Sequence, residues 1–346
     1  LGYDRMTRNC YAKEDVERFR AAVREHIVPI ACRVYEAVAE RLGKSLPMGY
    51  ADCAMWFSDG NATPVGTADD ILAAGRRFYH ELSGETAEFI DFMLDNEMMD
   101  VLSKPGKAGG GYCPTLSEYK SPFIFANFNG TSGDVEVITH EAGHAFASYL
   151  ARSILPASSR WPTLEACEVH SMSMEFFAEG WAESFFGADA DKFRWQHLAD
   201  ALTFIPYGTL VDHFQHECYE HPEFSPAERN ECWLKLQRVY MPWLKPEEEL
   251  AFYSSGRAWQ RQRHIYIDPF YYIDYCLAQT VSLEFWVLLR HDRSEAWGKY
   301  MAYTRPAGTL SFRELLRQAG LGDPFDGGTL KSVAEEAARW LDGHSA

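Results

Sequence analysis

The sequence predicts a mainly α, multi-helix domain with one small β-sheet beside a helix that carries titratable side chains. Three observations support this. Apolar residues recur at helical spacing, as in Val16, Phe19, Val23, Ile27 and Ile30. Helix-start signals recur as well: Thr67 with Asp70, Thr131 with Asp134, Ser225-Pro226 with Glu228, and Ser311 with Glu314. Residues 121–128, Ser-Pro-Phe-Ile-Phe-Ala-Asn-Phe, are the best strand candidate in the chain.

Composition bounds the reading. The chain has 346 residues, 47% of them hydrophobic and 14% aromatic, enough for a sizeable core, and one domain over residues 1–346 is expected. The net charge of −17 argues against nucleic acid and against anionic membrane surfaces as partners. There is no run of 18 apolar residues, so no membrane span is expected. The eight cysteines are scattered without a C-x-x-C pair, which points to a reducing compartment and a cytoplasmic location. The first residue is Leu1, and no charged segment followed by an apolar run marks a signal peptide. No feature speaks to oligomeric state.

In chain order, residues 12–43 read as a long helix that Pro29 can kink. Residues 47–66 are irregular. A helix starting at Thr67 ends near Ser83-Gly84, and another is expected over residues 85–102. The run Gly109-Gly110-Gly111 lacks the Gly-Lys-Ser/Thr ending that a phosphate loop needs. The strand candidate follows, then a helix starting near Thr131 and stopping before Pro156. Further helices are expected over residues 164–186, from Ser225 to before Pro242, in an apolar stretch that His264, Tyr271, Tyr272 and Tyr275 precede or open, from Ser311 to Gly320, and over 330–341.

The chemistry lies in His140-Glu141-Ala142-Gly143-His144. Residues four apart share one face of a helix, so both imidazoles can reach one ion, and Zn²⁺ accepts such ligands. Glu141 is the next residue along, where a base acting on metal-activated water belongs. A third ligand is needed. Ala147 and Leu150 exclude the arrangement in which a Gly and a His follow the second His by three and six residues. Carboxylates remain on the next helix: Glu165, Glu168, Glu175, Glu179 and Glu183, of which Glu168 and Glu175 share a face. Cys113 and Cys167 lie near this site in sequence and read as packing residues. Asp212-His213-Phe214-Gln215-His216-Glu217 also collects metal-type residues, but in neither order of the helical zinc motifs, and reads as structural or as support for ligands.

Three blocks in order resemble the oligoendopeptidase F and thimet oligopeptidase family of zinc metallopeptidases, with the oligoendopeptidase F branch fitting best. They are Gly133–Val137 running into His140–His144; Glu168-Val169-His170-Ser171-Met172-Ser173-Met174-Glu175; and His264-Ile265-Tyr266 with Pro269–Tyr275. The resemblance covers nearly the whole chain and implies a zincin-type catalytic domain. It implies His140, His144 and Glu168 as ligands of one Zn²⁺ and Glu141 as general base. Glu136 matches a carboxylate oriented to the first ligand His, and Glu175 one that supports the second. His264, Tyr272 and Tyr275 match oxyanion donors. The strand before the active helix is implied to pair with substrate backbone. Members of the family are longer, and their additional helical N-terminal region is expected to be absent here.

The function so implied is a zinc-dependent endopeptidase that cuts internal bonds of short oligopeptides. Two alternatives stand beside it: a zinc exopeptidase of aminopeptidase or carboxypeptidase type, and a non-catalytic peptide-binding domain. The Gly-x-Met-Glu-Asn signature of one aminopeptidase group is absent, and neither ligand nor base is missing, which counts against each in turn.

Overall fold

The computed structural model describes residues 9–246 and 248–344, which are mainly helical with two very small sheets. The leader reading at residues 1–8 lies outside the described residues. In chain order the elements are α1 (Lys13–Ala22), α2 (Val28–Arg41), α3 (Ala68–Leu82), α4 (Gly84–Asp95), β1 (Met99–Leu102), β2 (Thr115–Leu116), β3 (Ser121–Pro122) and β4 (Ile124–Phe128). Then come α5 (Ser132–Ala151), α6 (Leu164–Ala178), α7 (Ala190–Glu220) and α8 (Pro226–Tyr240). The last four are α9 (Tyr272–His291), α10 (Arg293–Thr304), α11 (Phe312–Ala319) and α12 (Gly327–Gly343). No helix among the described residues is long and apolar enough to cross a membrane. The described chain divides into two compact units.

The first unit takes residues 9–61, 196–280 and 322–344. Residues 12–43 are helical, with a π turn, Val23–Ile27, between α1 and α2. Pro29 has no N–H to give the carbonyl of Glu25, and the wider turn lies just before it. Val16, Phe19, Val23 and Ile27 are all buried, and α12 packs along this segment. Tyr35 stacks on Trp56 and on Trp243, with ring centroids 5.5 and 5.1 Å away.

The second unit takes residues 62–195 and 281–321. Ser83 stands between α3 and α4 in extended conformation, and its Oγ accepts the Thr86 N–H, so one residue ends a helix and starts the next. The helix expected over residues 85–102 stops at Asp95. Glu97 takes a left-handed φ of 56°, and residues 99–102 form β1 instead. The cause is tertiary: β1 pairs in parallel with β4, Met99 opposite Ile124 and Asp100 opposite Phe125.

The other edge of β4 is covered too. Phe125 exchanges both backbone hydrogen bonds with Tyr112, each 3.0 Å, and Asn127 Nδ2 donates to the carbonyls of Ala108 and Gly110. The chain's own loop therefore fills the place where a peptide was expected to add to the strand before the active helix.

The starts at Thr67, Ser225 and Ser311 form the expected reciprocal caps with Asp70, Glu228 and Glu314. The one expected at Thr131 does not form. Asp134 instead accepts the N–H groups of Asn129 at 2.9 Å and Gly130 at 2.7 Å, tying the turn ahead of α5. α5 and α6 pack closely because Gly143 has no side chain. A Cβ there would stand 2.6 Å from Ser171 Cα and 2.7 Å from the His170 carbonyl oxygen. α10 clamps α6 from behind: Tyr300 Oη donates to the His170 carbonyl at 3.0 Å and Tyr303 Oη to that of Ala166 at 3.4 Å.

Candidate active site

α5 brings His140, Glu141 and His144 to its contact with α6, and α6 supplies Glu168 and Glu175. Both His Nε2 atoms lie 3.4 Å from Glu168 Oε2. Among the described residues, His140, His144 and Glu168 form a group whose ligand atoms lie within 4.8 Å of one another, able to hold one metal ion. A tetrahedral ion at about 2.0–2.1 Å from each ligand would set those ligands about 3.4 Å apart, so the donor set and its spacing fit zinc.

The remaining imidazole nitrogens are also engaged. His140 Nδ1 lies 2.6 Å from Glu175 Oε1, and His144 Nδ1 lies 3.3 Å from Cys167 Sγ. Such contacts fix the ring orientation and leave Nε2 facing the cluster. Glu175 thus partners the first His of the motif, where it was expected at the second. The second His meets Cys167, which sequence reading had taken for packing. Its position directly before Glu168 was the available signal. Glu136 sits one turn before His140 on α5, half-buried. Ser171 Oγ donates to Glu168 Oε2 at 3.0 Å and holds that carboxylate in place.

The charges support one another. Burial pulls His140 down, but Glu168 and Glu175 outweigh it and lift its pKa to about 10. Burial would raise Glu168, yet His144 and His140 hold it well below the usual carboxylate range. Glu141 moves the other way: burial raises its pKa, more than the neighbouring imidazoles lower it. Its Oε1 lies against Gly111, where a Cβ would approach to 3.3 Å, so the glycine run read as a failed phosphate loop backs the Glu141 carboxylate. Burial pushes the Cys113 thiol up to about 12, keeping it neutral.

The expected oxyanion donors gather in the first unit. His264 has ring centroids of Tyr272 at 5.3 Å, Tyr271 at 5.8 Å and Tyr275 at 6.0 Å. Gln262 Nε2 lies 2.8 Å from His264 Nδ1, and Tyr207 Oη donates to Gln262 Oε1 at 2.8 Å. Nothing in the sequence pointed to Gln262. Phe270, just before the tyrosines, is buried with a left-handed φ of 68°, a strained state for a bulky residue. The N–H of Phe270 donates to Gln215 Oε1 at 2.9 Å, which pins this turn.

Gln215 belongs to the second histidine- and acid-rich run, on α7. Here Arg20 fills the centre. Its Nε and Nη2 donate to Asp212 Oδ2 at 3.1 and 2.6 Å, with both side chains buried. His216 Nε2 lies 3.6 Å from Asp212 Oδ1, and the His216 ring meets Phe270 edge-on at 5.0 Å. Burial lowers His213 to about 4, and its Nδ1 lies 3.0 Å from Tyr240 Oη.

Comparison with known proteins places this geometry. The family model for peptidase family M3 matches residues 87–335. A putative oligoendopeptidase F structure is 48% identical over 100% of this chain and 61% of its own, with a TM-score of 0.95. Pz peptidase A with an inhibitor is likewise 48% identical, with the same coverage and a TM-score of 0.96. A putative oligoendopeptidase F from Bacillus anthracis str. Ames is 46% identical over 100% of this chain and 59% of that one, with a TM-score of 0.89. The chain thus spans about three fifths of the length of these relatives. A comparison with curated proteins returned no match. With the family model covering most of the sequence and the mainly helical fold shared along its whole length, the chain belongs to peptidase family M3.

Proposed function

We propose that the chain is the catalytic domain of a zinc-dependent endopeptidase acting on oligopeptides. The observation that carries this is the convergence of His140 Nε2, His144 Nε2 and Glu168 Oε2 beside Glu141, in a member of a peptidase family. The two imidazoles and the carboxylate would hold the ion, with Glu175 and Cys167 orienting the rings and Ser171 the carboxylate. A zinc ion held there supplies Lewis acidity, which eases deprotonation of water and polarises a peptide carbonyl. Glu141 takes the proton from the attacking water on its carboxylate and returns it to the leaving amine. His264, Tyr272 and Tyr275 are given a shared role as N–H or O–H donors to the developing oxyanion. Their gathering into one cluster, fixed by Gln262 and Gln215, supports a common task. Glu136 is assigned to the support of His140, residues 1–346 to one catalytic domain, and the protein to the cytoplasm.

The test is incubation of the purified chain with a mixed oligopeptide pool, with and without chelator, read by mass spectrometry. Internal cuts that vanish with chelator and return with zinc are expected. Stepwise loss from one end would replace this reading with an exopeptidase, and intact peptides beside zinc-loaded protein with a binding domain.

A further inference from the structure

The first unit holds a cavity of about 190 Å³, lined in part by Tyr207 and Gln262, the pair that holds His264. Its walls are the rings of Tyr50, Tyr207, Trp233 and Tyr253, with the guanidinium of exposed Arg261 among the lining groups. In a chain with 50 acidic against 33 basic residues, no residue lining this cavity is acidic. The polar groups are weighted towards donors. Tyr50 Oη donates to Gln237 Oε1 at 3.0 Å, so the Gln237 side chain keeps its amide N–H groups to offer. One Arg261 Nη donates to Tyr253 Oη, which stations the guanidinium beside the aromatic walls.

An aromatic box with a cation, surplus N–H donors and no anion suits one kind of guest: a flat apolar body that bears a carboxylate. The rings take the body by stacking and Arg261 takes the charge. We propose that this cavity binds an aromatic carboxylate, either a small free acid or the C-terminal residue of a peptide. No bond is made or broken there.

The test is calorimetric titration of the full chain after its metal has been stripped with chelator, so that carboxylate binding at the histidine cluster through a metal cannot contribute. The proposal therefore stands or falls apart from the peptidase reading. N-acetyl-L-phenylalanine is expected to bind about tenfold more tightly than its C-terminal amide, from the added charge on the Arg261 contact. Arg261→Gln, a change at an exposed side chain, should erase that difference. Equal affinity for acid and amide, or a preference for the acid that survives Arg261→Gln, overturns the proposal. A tetrapeptide ending in phenylalanine separates the two sources. Tighter binding than the acetylated amino acid identifies a peptide terminus, and equal binding a free acid, both within the proposed chemistry.

Discussion

Two clusters of this protein each bring histidine and carboxylate together around a helical spacing of four residues, and they end in opposite states. On α5 and α6, His140, His144 and Glu168 turn three donor atoms towards one point. On α7, Asp212 and His216 face each other as closely, yet Arg20 puts its guanidinium on the carboxylate. The difference lies in what neutralises the buried acid. Where an arginine from another helix does so, the cluster is finished as structure; where imidazoles do, it is a group that could hold a metal ion. Orientation follows the same division. His140 and His144 have their Nδ1 atoms tied to Glu175 and Cys167, whereas the His216 ring packs on Phe270.

The contrast can be attacked from either side. Glu141→Gln should lower peptide cleavage by about a hundredfold or more while metal content by atomic absorption stays at wild type. A variant that still cleaves normally would remove the base from the α5 cluster. Arg20→Met leaves Asp212 buried without its cation and should cost about 3–5 kcal/mol in chemical denaturation, and metal content should not change. Two ions per chain in that variant would mean that the arginine alone had kept a second site closed. Glu175→Gln should weaken metal binding about 10–100-fold in competition with a chelating dye, with folding stability nearly unchanged.

The smallest effect concerns acid. Burial raises Asp212, but Arg20 and His216 outweigh it and hold its pKa at about 2, below its unfolded value. A carboxylate depressed in this way stabilises the fold above its unfolded pKa, and that contribution disappears as pH falls through the folded one. Wild type should lose stability between about pH 4 and about pH 2, and Asp212→Asn should show a flatter profile over that range. A wild-type profile as flat as the variant's would detach the ion pair from acid stability.

Much of this was legible in the sequence because it was local. The His140-Glu141-x-x-His144 spacing, the caps at Thr67, Ser225 and Ser311, and the left-handed Gly320 that ends α11 each depend on residues within one turn. What escaped depended on partners far along the chain. Residues 99–102 become a strand because of β4, about 25 positions away, and no local propensity records that partner. Cys167 and Glu175 could be placed near the site, but which histidine each meets is set by how α6 lies on α5. The Asp212 run reads in the sequence as structural or as support for ligands, and its buried partner, Arg20, lies 192 residues earlier.

Gly143 touches neither an imidazole nor a carboxylate of the cluster in any contact described here, yet it sets how near α5 and α6 approach. It works as a caliper. A methyl group at that position would hold the helices apart and carry Glu168 away from His140 and His144, which stay together on α5. The closing of the three-donor cluster is then written in a missing carbon atom as well as in the ligands themselves.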